Sequence, residues 1–332
     1  MTRVHVFTMG GTIACVPDAP GSGARPALTV DDLLAAVPGI AEAANVRGTS
    51  FRQFPSPELT FGDLFELAAE IRRHIGDGAD GIVVTQGTDT LEETAFALDL
   101  LCRTSAPVVV TGAMRNPALP GADGAANLLA AIQVAASAEA WDLGVTVVFN
   151  DEIHPARFVQ KTHATNPATF RSSPTGPVGW ISEGRVRIAA RPAAYPRLQV
   201  PAGAAAASVA LVKLALGDDP GMIGYLAQAG YDGLVVEAYG GGHVPERFVA
   251  PLAELAVRIP VVLASRTGSG EMLRRTYGFA GGEMDLLGRG LVSAGALDGL
   301  KARVLLTLLL TRDATRQEID GAFAAIGFGG SS

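Results

Sequence analysis

Two short segments of this 332-residue chain place threonine hydroxyls directly after largely apolar runs. Residues 8–14 (TMGGTIA) follow residues 4–7, and residues 85–94 (TQGTDTLEET) follow residues 82–84. In each segment a glycine comes immediately before a threonine, Thr12 in the first and Thr88 in the second. Because open α/β sheets carry their chemistry at the carboxyl ends of strands, the two hydroxyls predict nucleophilic chemistry on a small molecule.

Thr12 is the first candidate nucleophile. A threonine hydroxyl reacts poorly unless a base or a charged neighbour activates it. Gly10 and Gly11 allow a close backbone approach and can present amide N–H groups to a developing oxyanion. The alternative is a strand-to-loop turn in which Thr12 hydrogen-bonds only to backbone. The segment matches neither GxGxxG nor a P-loop, so phosphate binding is less favoured.

Thr88, Asp89, Lys161 and Ser56 are the other polar candidates. Thr88 and Asp89 precede a predicted helix, where the dipole favours an anion, although Asp89 could instead bind a substrate ammonium or simply cap the helix. Lys161 could serve as a base if buried, whereas a lone lysine is more often a solvated surface residue. Ser56 lies between two prolines and is either a binding residue or an ordinary turn serine.

The first 190 residues alternate strand and helix signals, which predicts an α/β domain. The apolar character of its strands favours a parallel sheet covered on both faces. Residues 15–30 are rich in glycine and proline and predict a mobile loop. Capping-box patterns at Thr60-x-x-Asp63 and Thr90-x-x-Glu93 predict two helix starts. The predicted strands are residues 4–8, 81–85, 107–111 and 145–150, and the predicted helices follow residues 60, 90 and 123.

A second, smaller α/β domain is predicted over residues 207–326. A stretch rich in proline and alanine, residues 191–206, predicts a linker between this domain and the larger domain of residues 1–190. Residues 327–332 predict a disordered tail. The predicted strands of the second domain are residues 209–214, 233–237 and 261–265, and its predicted helices lie near residues 222–229, 246–258, 300–310 and 316–325.

Composition argues against several classes of function. A net charge of −7 gives no basic footprint for nucleic acid. The sequence has no run of 18 uncharged apolar residues, so it predicts no membrane-spanning helix. The first residues lack a signal-peptide pattern, so we expect a cytoplasmic protein. Cys15 and Cys102 are far apart and lack metal-type spacing, which favours reduced thiols. The five histidines are scattered without an HExxH pair, so we expect no catalytic metal.

The two threonine segments and several shorter motifs resemble those of the bacterial L-asparaginases with two active-site threonines, a group that includes glutaminase-asparaginases. The resemblance extends from residue 4 to about residue 323, and two segments are highly specific in combination. The matching segments are residues 8–14 and 81–95, supported by residues 110–115, 122–128, 161–170, 229–233 and 301–306.

The resemblance implies a mechanism. Thr12 would attack the side-chain amide carbon and release ammonia, and water would then hydrolyse the acyl-enzyme to aspartate. Thr88, Lys161 and Asp89 would form a second catalytic cluster in which Thr88 positions the water. Asp89 would also bind the α-amino group of the substrate, and Ser56 its α-carboxylate. The expected substrate-binding residues are Ser56, Asp89, Gly11, Gly87, His243 and Glu271.

The resemblance also implies a larger N-terminal parallel-sheet domain, a smaller C-terminal α/β domain and no metal or organic cofactor. The sites would lie between two subunits of a homodimer, usually within a homotetramer. His243 and Glu271, with Glu283 as the second choice, would reach the site of the neighbouring subunit.

The chain departs from the family pattern at two places near the expected site. The family normally has a tyrosine in the loop after the nucleophile, but no tyrosine precedes Tyr195 here, and the loop offers Arg25 and Thr29 instead. The family often has glutamine after the carboxylate-binding serine, where this chain has Pro57. Both departures bear on the substrate more than on the reaction.

Three functions therefore remain open. The first is an L-asparaginase with or without glutaminase activity. The second is a relative that acts on another small amide. The third is a non-catalytic module that binds acidic amino acids, which the presence of all four catalytic-type residues makes less favourable.

Overall fold

A computed structural model describes residues 1–19, 22–102 and 104–327. The chain divides into two compact units, Met1–Arg197 and Leu198–Ser332, and the division falls within the predicted linker. The start of that linker is fastened to the first unit, because Arg191 donates a hydrogen bond of 2.7 Å to the Trp141 carbonyl and Tyr195 bonds to the buried Asp99. Residues 328–332 of the predicted tail lie outside the described residues.

The first unit contains one large sheet, flanking helices and two small hairpins. Its strands are β1 (Arg3–Gly10), β2 (Cys15–Pro17), β3 (Ala24–Pro26), β4 (Asn45–Phe54), β5 (Gly81–Thr85), β6 (Val108–Thr111), β7 (Val145–Phe149), β8 (Glu152–Pro155), β9 (Val159–Lys161), β10 (Phe170–Ser172), β11 (Gly179–Ser182) and β12 (Arg185–Ile188). Its helices are α1 (Val30–Ala35), α2 (Ile40–Ala43), α3 (Phe61–Gly76), α4 (Leu91–Leu101) and α5 (Gly124–Ala135).

The large sheet is mixed rather than fully parallel. Its strand order is β12-β11-β8-β7-β6-β5-β1-β4. Five neighbouring strands, β7, β6, β5, β1 and β4, pair in parallel. At the β7 end, β8, β11 and β12 add an antiparallel extension. The expectation of a parallel N-terminal sheet is therefore correct for its centre and wrong for that extension, whose short strands return through tight turns.

Helices cover both faces of the parallel centre. Val83 and Val109 belong to the apolar cluster that includes Leu128 and Ile132 of α5. Side chains alternate between the two faces of a strand, so the neighbouring buried residues of β5 and β6 face the other side, where α3 and α4 pack. This double cover explains why these strands are continuously apolar.

Residues 15–30, predicted as a loop, instead contain regular structure. β2 and β3 pair as an antiparallel hairpin with Val16 opposite Arg25. The Ala14 carbonyl then accepts hydrogen bonds from the N–H groups of Ala27 and Leu28, at 2.8 and 3.0 Å. The segment therefore contains a short hairpin that is anchored next to the end of β1.

Helix starts follow a common pattern at three places. Thr29, Thr60 and Thr315 each form a capping box with the acidic residue three positions later, Asp32, Asp63 and Glu318 respectively. The Thr60-x-x-Asp63 prediction is thus confirmed.

The second unit is a four-stranded parallel sheet with helices. Its sheet order is β13-β14-β15-β16. The elements are β13 (Val209–Lys213), β14 (Gly233–Ala238), β15 (Val261–Ser265), β16 (Val292–Ser293), α6 (Gly221–Gln228), α7 (Glu246–Ala256), α8 (Glu283–Gly288), α9 (Gly299–Thr311) and α10 (Arg316–Ile326). The predicted strands and helices are all present, whereas the short β16 and α8 were not predicted.

No helix within the described parts of the chain has both the length and the apolar character that a bilayer span requires.

Candidate active site

The two threonine segments meet at the carboxyl ends of neighbouring strands. β1 and β5 pair in parallel, with Thr8 opposite Thr85. A Cβ atom on Gly11 would lie 2.1 Å from the backbone nitrogen of Gly87, so the two loops touch backbone to backbone. Gly11 also has a φ of 81°, which side chains rarely adopt. The loops that carry Thr12 and Thr88 are therefore in direct contact.

Ser56 lies against the same loops. It begins a short 3₁₀ turn after β4, and its side chain is buried at 2% exposure. A Cβ atom on Gly87 would be only 2.7 Å from the Ser56 hydroxyl oxygen. Three segments far apart in sequence thus bring Gly11, Gly87 and Ser56 to one edge of the sheet.

Thr12 is half-buried at the start of a 3₁₀ turn, Thr12–Ala14. Its hydroxyl has no hydrogen-bond partner among the described residues, so it is free to meet a substrate. The nearby Cys15 donates its thiol proton to the Gly11 carbonyl at 3.1 Å. Burial raises the pKa of that thiol, so Cys15 is protonated at neutral pH and is not a general base for Thr12.

The residues considered as substitutes for the absent loop tyrosine are used elsewhere. The Thr29 hydroxyl donates a hydrogen bond of 2.7 Å to Asp32 in the capping box of α1. Arg25 is exposed on β3, with its Nε atom 3.9 Å from Asp18. Helix capping therefore accounts for Thr29, and an exposed ion pair accounts for Arg25.

Thr88, Asp89 and Lys161 form one hydrogen-bonded cluster. The Lys161 ammonium donates to the Thr88 hydroxyl at 2.8 Å and to the Asp89 carboxylate at 2.6 Å. Thr88 is 6% exposed, whereas the Asp89 side chain is 63% exposed. An amine in contact with a hydroxyl is an arrangement that can move a proton to or from that hydroxyl. The exposed carboxylate of Asp89 is available to a cation of the substrate.

The backbone of Lys161 is held by a buried glutamate, Glu92, which the sequence did not single out. Lys161 ends β9, and its backbone N–H donates to Glu92 Oε1 at 3.0 Å. Glu92 lies in the first turn of α4 and is 6% exposed. The available signal was a glutamate in the first turn of a helix with a long apolar stretch, residues 95–98.

Thr90 does not cap α4 as the sequence pattern predicted. Its hydroxyl makes no capping hydrogen bond, and its ψ of 13° differs from the extended value of an ordinary N-cap. The hydroxyl instead donates to the Ser56 carbonyl at 3.1 Å and accepts from Gln86 Nε2 at 3.0 Å. The box predicted at Thr90-x-x-Glu93 is therefore wrong, because the Thr90 hydroxyl faces the Ser56 turn.

The loop after β6 packs against the segment that carries Thr88. A Cβ atom on Gly112 would lie 2.4 Å from the Gln86 carbonyl and 3.5 Å from Thr88 Cγ2. Asp123 accepts hydrogen bonds from the backbone N–H groups of Met114 and Arg115, at 3.0 and 2.8 Å. This carboxylate fixes the loop beside the cluster.

In the second unit, His243 and Glu283 lie together and Glu271 does not join them. His243 Nε2 is 3.4 Å from Glu283 Oε2, and the imidazole meets the Tyr277 ring edge-on at 4.8 Å. Glu283 is fully buried and accepts backbone hydrogen bonds from Thr276 and Tyr277 at 2.7 and 2.8 Å. Burial alone would raise the pKa of Glu283, but these hydrogen bonds outweigh it and hold the pKa below its usual value. Glu271 is exposed.

No set of three or more histidine, cysteine, aspartate or glutamate side chains among the described residues is grouped to hold a metal ion. The polar groups of the site are hydroxyls, one amine and carboxylates, which are groups that take part in nucleophilic catalysis.

Comparison with known proteins identifies the family. A family model described as Asparaginase, N-terminal matches residues 3–194, and one described as Glutaminase/Asparaginase C-terminal domain matches residues 208–323. The probable L-asparaginase of Deinococcus radiodurans is 38% identical over 327 residues, which cover 97% of each protein. One component of the glutamyl-tRNA(Gln) amidotransferase of Methanosarcina acetivorans is 32% identical over 90% of this chain and 70% of that protein.

The fold comparison points the same way. The crystal structure of the probable cytoplasmic L-asparaginase from Campylobacter jejuni matches with a TM-score of 0.88 and 31% identity. The match covers 98% of this chain and 100% of that one. This chain therefore belongs to the asparaginase family and is an amidohydrolase of mixed α/β fold.

Proposed function

We propose that this enzyme hydrolyses the side-chain amide of L-asparagine to L-aspartate and ammonia, through an acyl-enzyme on Thr12. The observation that carries the proposal is the backbone contact between Gly11 and Gly87, which joins the loop that carries Thr12 to the loop that carries the Thr88–Asp89–Lys161 cluster. A nucleophile beside a second hydroxyl and an amine suits a reaction in two acyl-transfer steps.

In the first step the Thr12 oxygen attacks the amide carbon, and the carbonyl oxygen becomes an oxyanion. We assign the stabilisation of that charge to backbone N–H groups of the two glycine-containing loops. The oxyanion then re-forms the carbonyl, the C–N bond breaks, the leaving nitrogen takes up the proton that Thr12 gave up, and ammonia departs. An ester links the aspartyl group to Thr12.

In the second step water attacks the ester. Thr88 orients the water, and Lys161 exchanges protons with the Thr88 hydroxyl through their 2.8 Å contact. The ester C–O bond breaks, the Thr12 oxygen recovers its proton, and aspartate is released. The Asp89 carboxylate binds the α-ammonium of the substrate, and the Ser56 hydroxyl binds its α-carboxylate.

A second candidate is hydrolysis of another small amide, with glutamine first among them. Pro57 follows Ser56, where relatives often have glutamine, so one side-chain contact near the amino end of the substrate is absent. The amidotransferase component among the relatives also favours a wider range of amides within the family. The third candidate, a binding module without turnover, is less favoured because the four catalytic-type residues are all present.

The assembly is part of the proposal. We expect a homodimer or homotetramer on the basis of the family resemblance, and the exposed aromatic side chains of Tyr277 and Phe279 beside His243 are available for a contact between subunits. Sedimentation of an active sample as a 34.1 kDa monomer would contradict it. A cytoplasmic location is likewise proposed, supported by the similarity to the probable cytoplasmic L-asparaginase of Campylobacter jejuni.

Ammonia release from asparagine, glutamine and a panel of small amides tests the function. Thr12→Ala should abolish turnover, whereas Thr29→Ala, a matched change at the capping threonine, should leave it intact. A folded wild-type protein that releases no ammonia from either amino acid would refute the proposal. High activity on asparagine alone would exclude the second candidate, and binding of aspartate without any hydrolysis would favour the third.

A further inference from the structure

Four helices in the described parts of this chain begin after a threonine that is followed, three positions later, by an acidic residue. At Thr29, Thr60 and Thr315 the ψ angles are 171°, 164° and 161°, and the hydroxyl accepts the N3 backbone N–H. At Thr90 the ψ angle is 13°, and the hydroxyl makes no such bond. An N-cap needs extended backbone for its side chain to reach the first turn, so α4 starts without its cap.

The Thr90 hydroxyl makes two other hydrogen bonds instead. It donates to the Ser56 carbonyl at 3.1 Å and accepts from Gln86 Nε2 at 3.0 Å. Because a hydroxyl has one proton, donation to Ser56 requires Gln86 to present its amide nitrogen. Gln86 is fully buried, and its backbone N–H donates to the Thr111 carbonyl of β6 at 2.9 Å. The hydroxyl is therefore oriented by a side chain that is fixed to the sheet.

The Ser56 turn gains from this contact because the turn has few backbone N–H groups of its own to form hydrogen bonds. Ser56 lies between Pro55 and Pro57, and neither proline has a backbone N–H to donate. Within the turn, Leu59 N–H donates to the Ser56 carbonyl at 3.2 Å. Thr90 adds a bond from a separate segment, 34 residues away, to the same carbonyl oxygen.

This contact joins the two ends of the proposed amino-acid clamp. Ser56 is the residue assigned to the α-carboxylate of the substrate, and Asp89, next to Thr90, is assigned to its α-ammonium. We propose that Thr90 is a positioning residue that sets the spacing between the Ser56 hydroxyl and the Asp89 carboxylate, and with it the recognition of an α-amino acid. This inference rests on the proposed function.

Steady-state kinetics with asparagine test it. Thr90→Val keeps the branched shape and removes the hydroxyl, so KM should rise about tenfold while kcat stays within about twofold. Thr90→Ser restores the hydroxyl and should return KM to within about twofold of wild type. The matched control is Thr60→Val, which removes a true cap at α3 and should leave KM unchanged.

Hydrogen exchange of the peptide that spans residues 54–60 provides a readout that needs no turnover. Exchange should be faster in Thr90→Val than in wild type, and unchanged in Thr90→Ser. An unchanged KM in folded Thr90→Val, or a Thr90→Ser enzyme as impaired as Thr90→Val, would overturn the inference. Inactivity of the wild-type enzyme on asparagine would refute the proposed function instead. In that case the exchange experiment still tests Thr90 separately, because equal exchange in wild type and Thr90→Val would show that Thr90 does not hold the Ser56 turn.

Discussion

The N-terminal ends of α3 and α4 share a sequence pattern and differ in what their side chains contact. At α3, Thr60 and Asp63 hydrogen-bond to each other and to the backbone of the same turn, and Asp63 also accepts a hydrogen bond of 2.7 Å from Arg52 Nε of β4. At α4, the polar groups of the first turn reach other segments: Thr90 contacts the Ser56 turn, and Glu92 holds the backbone of Lys161.

The difference is between local stability and positioning. A capping box stabilises its own helix, whereas the start of α4 fixes two segments that carry site residues. α4 can dispense with its cap because nearly all of its residues are buried in the core. Local rules of helix formation are commonly broken where a site requires it and compensated by packing elsewhere. The following changes test this contrast, from the largest expected effect to the smallest.

Lys161→Met should lower kcat for asparagine by about 10²–10⁴-fold, because the amine that contacts Thr88 and Asp89 is lost. Lys213→Met is the matched control, since Lys213 lies on β13, where its exposed ammonium pairs with the buried carboxylate of Glu237. Ammonia release under saturating substrate measures both. A loss smaller than about threefold in Lys161→Met would remove Lys161 from the proton pathway.

Glu92→Ala should reduce kcat about tenfold and destabilise the protein by about 1–3 kcal/mol, because the Lys161 N–H loses its buried acceptor. Glu92→Gln keeps an oxygen at the same place and should retain most of the activity. Urea unfolding and steady-state kinetics give the two quantities. Equal kcat in the alanine and glutamine variants would contradict a role for the Glu92 oxygen in holding Lys161.

Thr60→Ala should cost about 1 kcal/mol of unfolding free energy, because α3 loses its cap. Neither kcat nor KM should change, since the Thr60 hydroxyl contacts only its own capping box. Urea unfolding of Thr60→Ala and Thr60→Ser, which keeps the cap, measures the loss. A change in KM for Thr60→Ala would abolish the distinction between the two helix ends.

The smallest expected effect is a pH dependence of the α3 cap. Burial works to raise the pKa of Asp63, but hydrogen bonds from Thr60 and Arg52 outweigh it and hold the pKa below the usual 3.8. The unfolded chain therefore binds the proton more readily, so the stabilisation by Asp63 is complete above that value and is lost as pH falls through the folded pKa.

Asp63→Asn should therefore lower the unfolding free energy near neutral pH by about 1 kcal/mol or less. The difference from wild type should stay constant above the usual value of 3.8 and shrink as pH falls below it, through the folded pKa. Urea unfolding at several pH values measures it. A difference that stays constant with pH would show that the carboxylate charge contributes nothing to the cap.

The parallel centre of the first sheet was predictable because its strands are apolar along their whole length. β5, β6 and β7 are buried at every residue, and the sequence indicates each of them. β4 was missed because it pairs only at the sheet edge and mixes arginine, glutamine and serine with its apolar residues. The antiparallel strands beyond β7 have only three or four residues each, too few for a periodic signal.

The site was predictable only where its residues follow strands. Thr12, Thr88 and Asp89 come directly after apolar runs, so their position at a sheet edge could be reasoned from the residues. Lys161 is 72 residues away from Asp89 and was assigned by resemblance alone. The direction of the Thr90 hydroxyl depends on a single ψ angle, which the sequence pattern does not encode.

The backbone contact between Gly11 and Gly87 also limits how this enzyme could be redesigned. Neither residue has a side chain, and the loops already touch, so no substitution there can enlarge the space for a longer amide. Additional room must come from segments that have side chains to shorten, of which the β2–β3 hairpin after Thr12 is the nearest in sequence. Variant libraries aimed at new substrates should therefore keep both glycines fixed and diversify the hairpin.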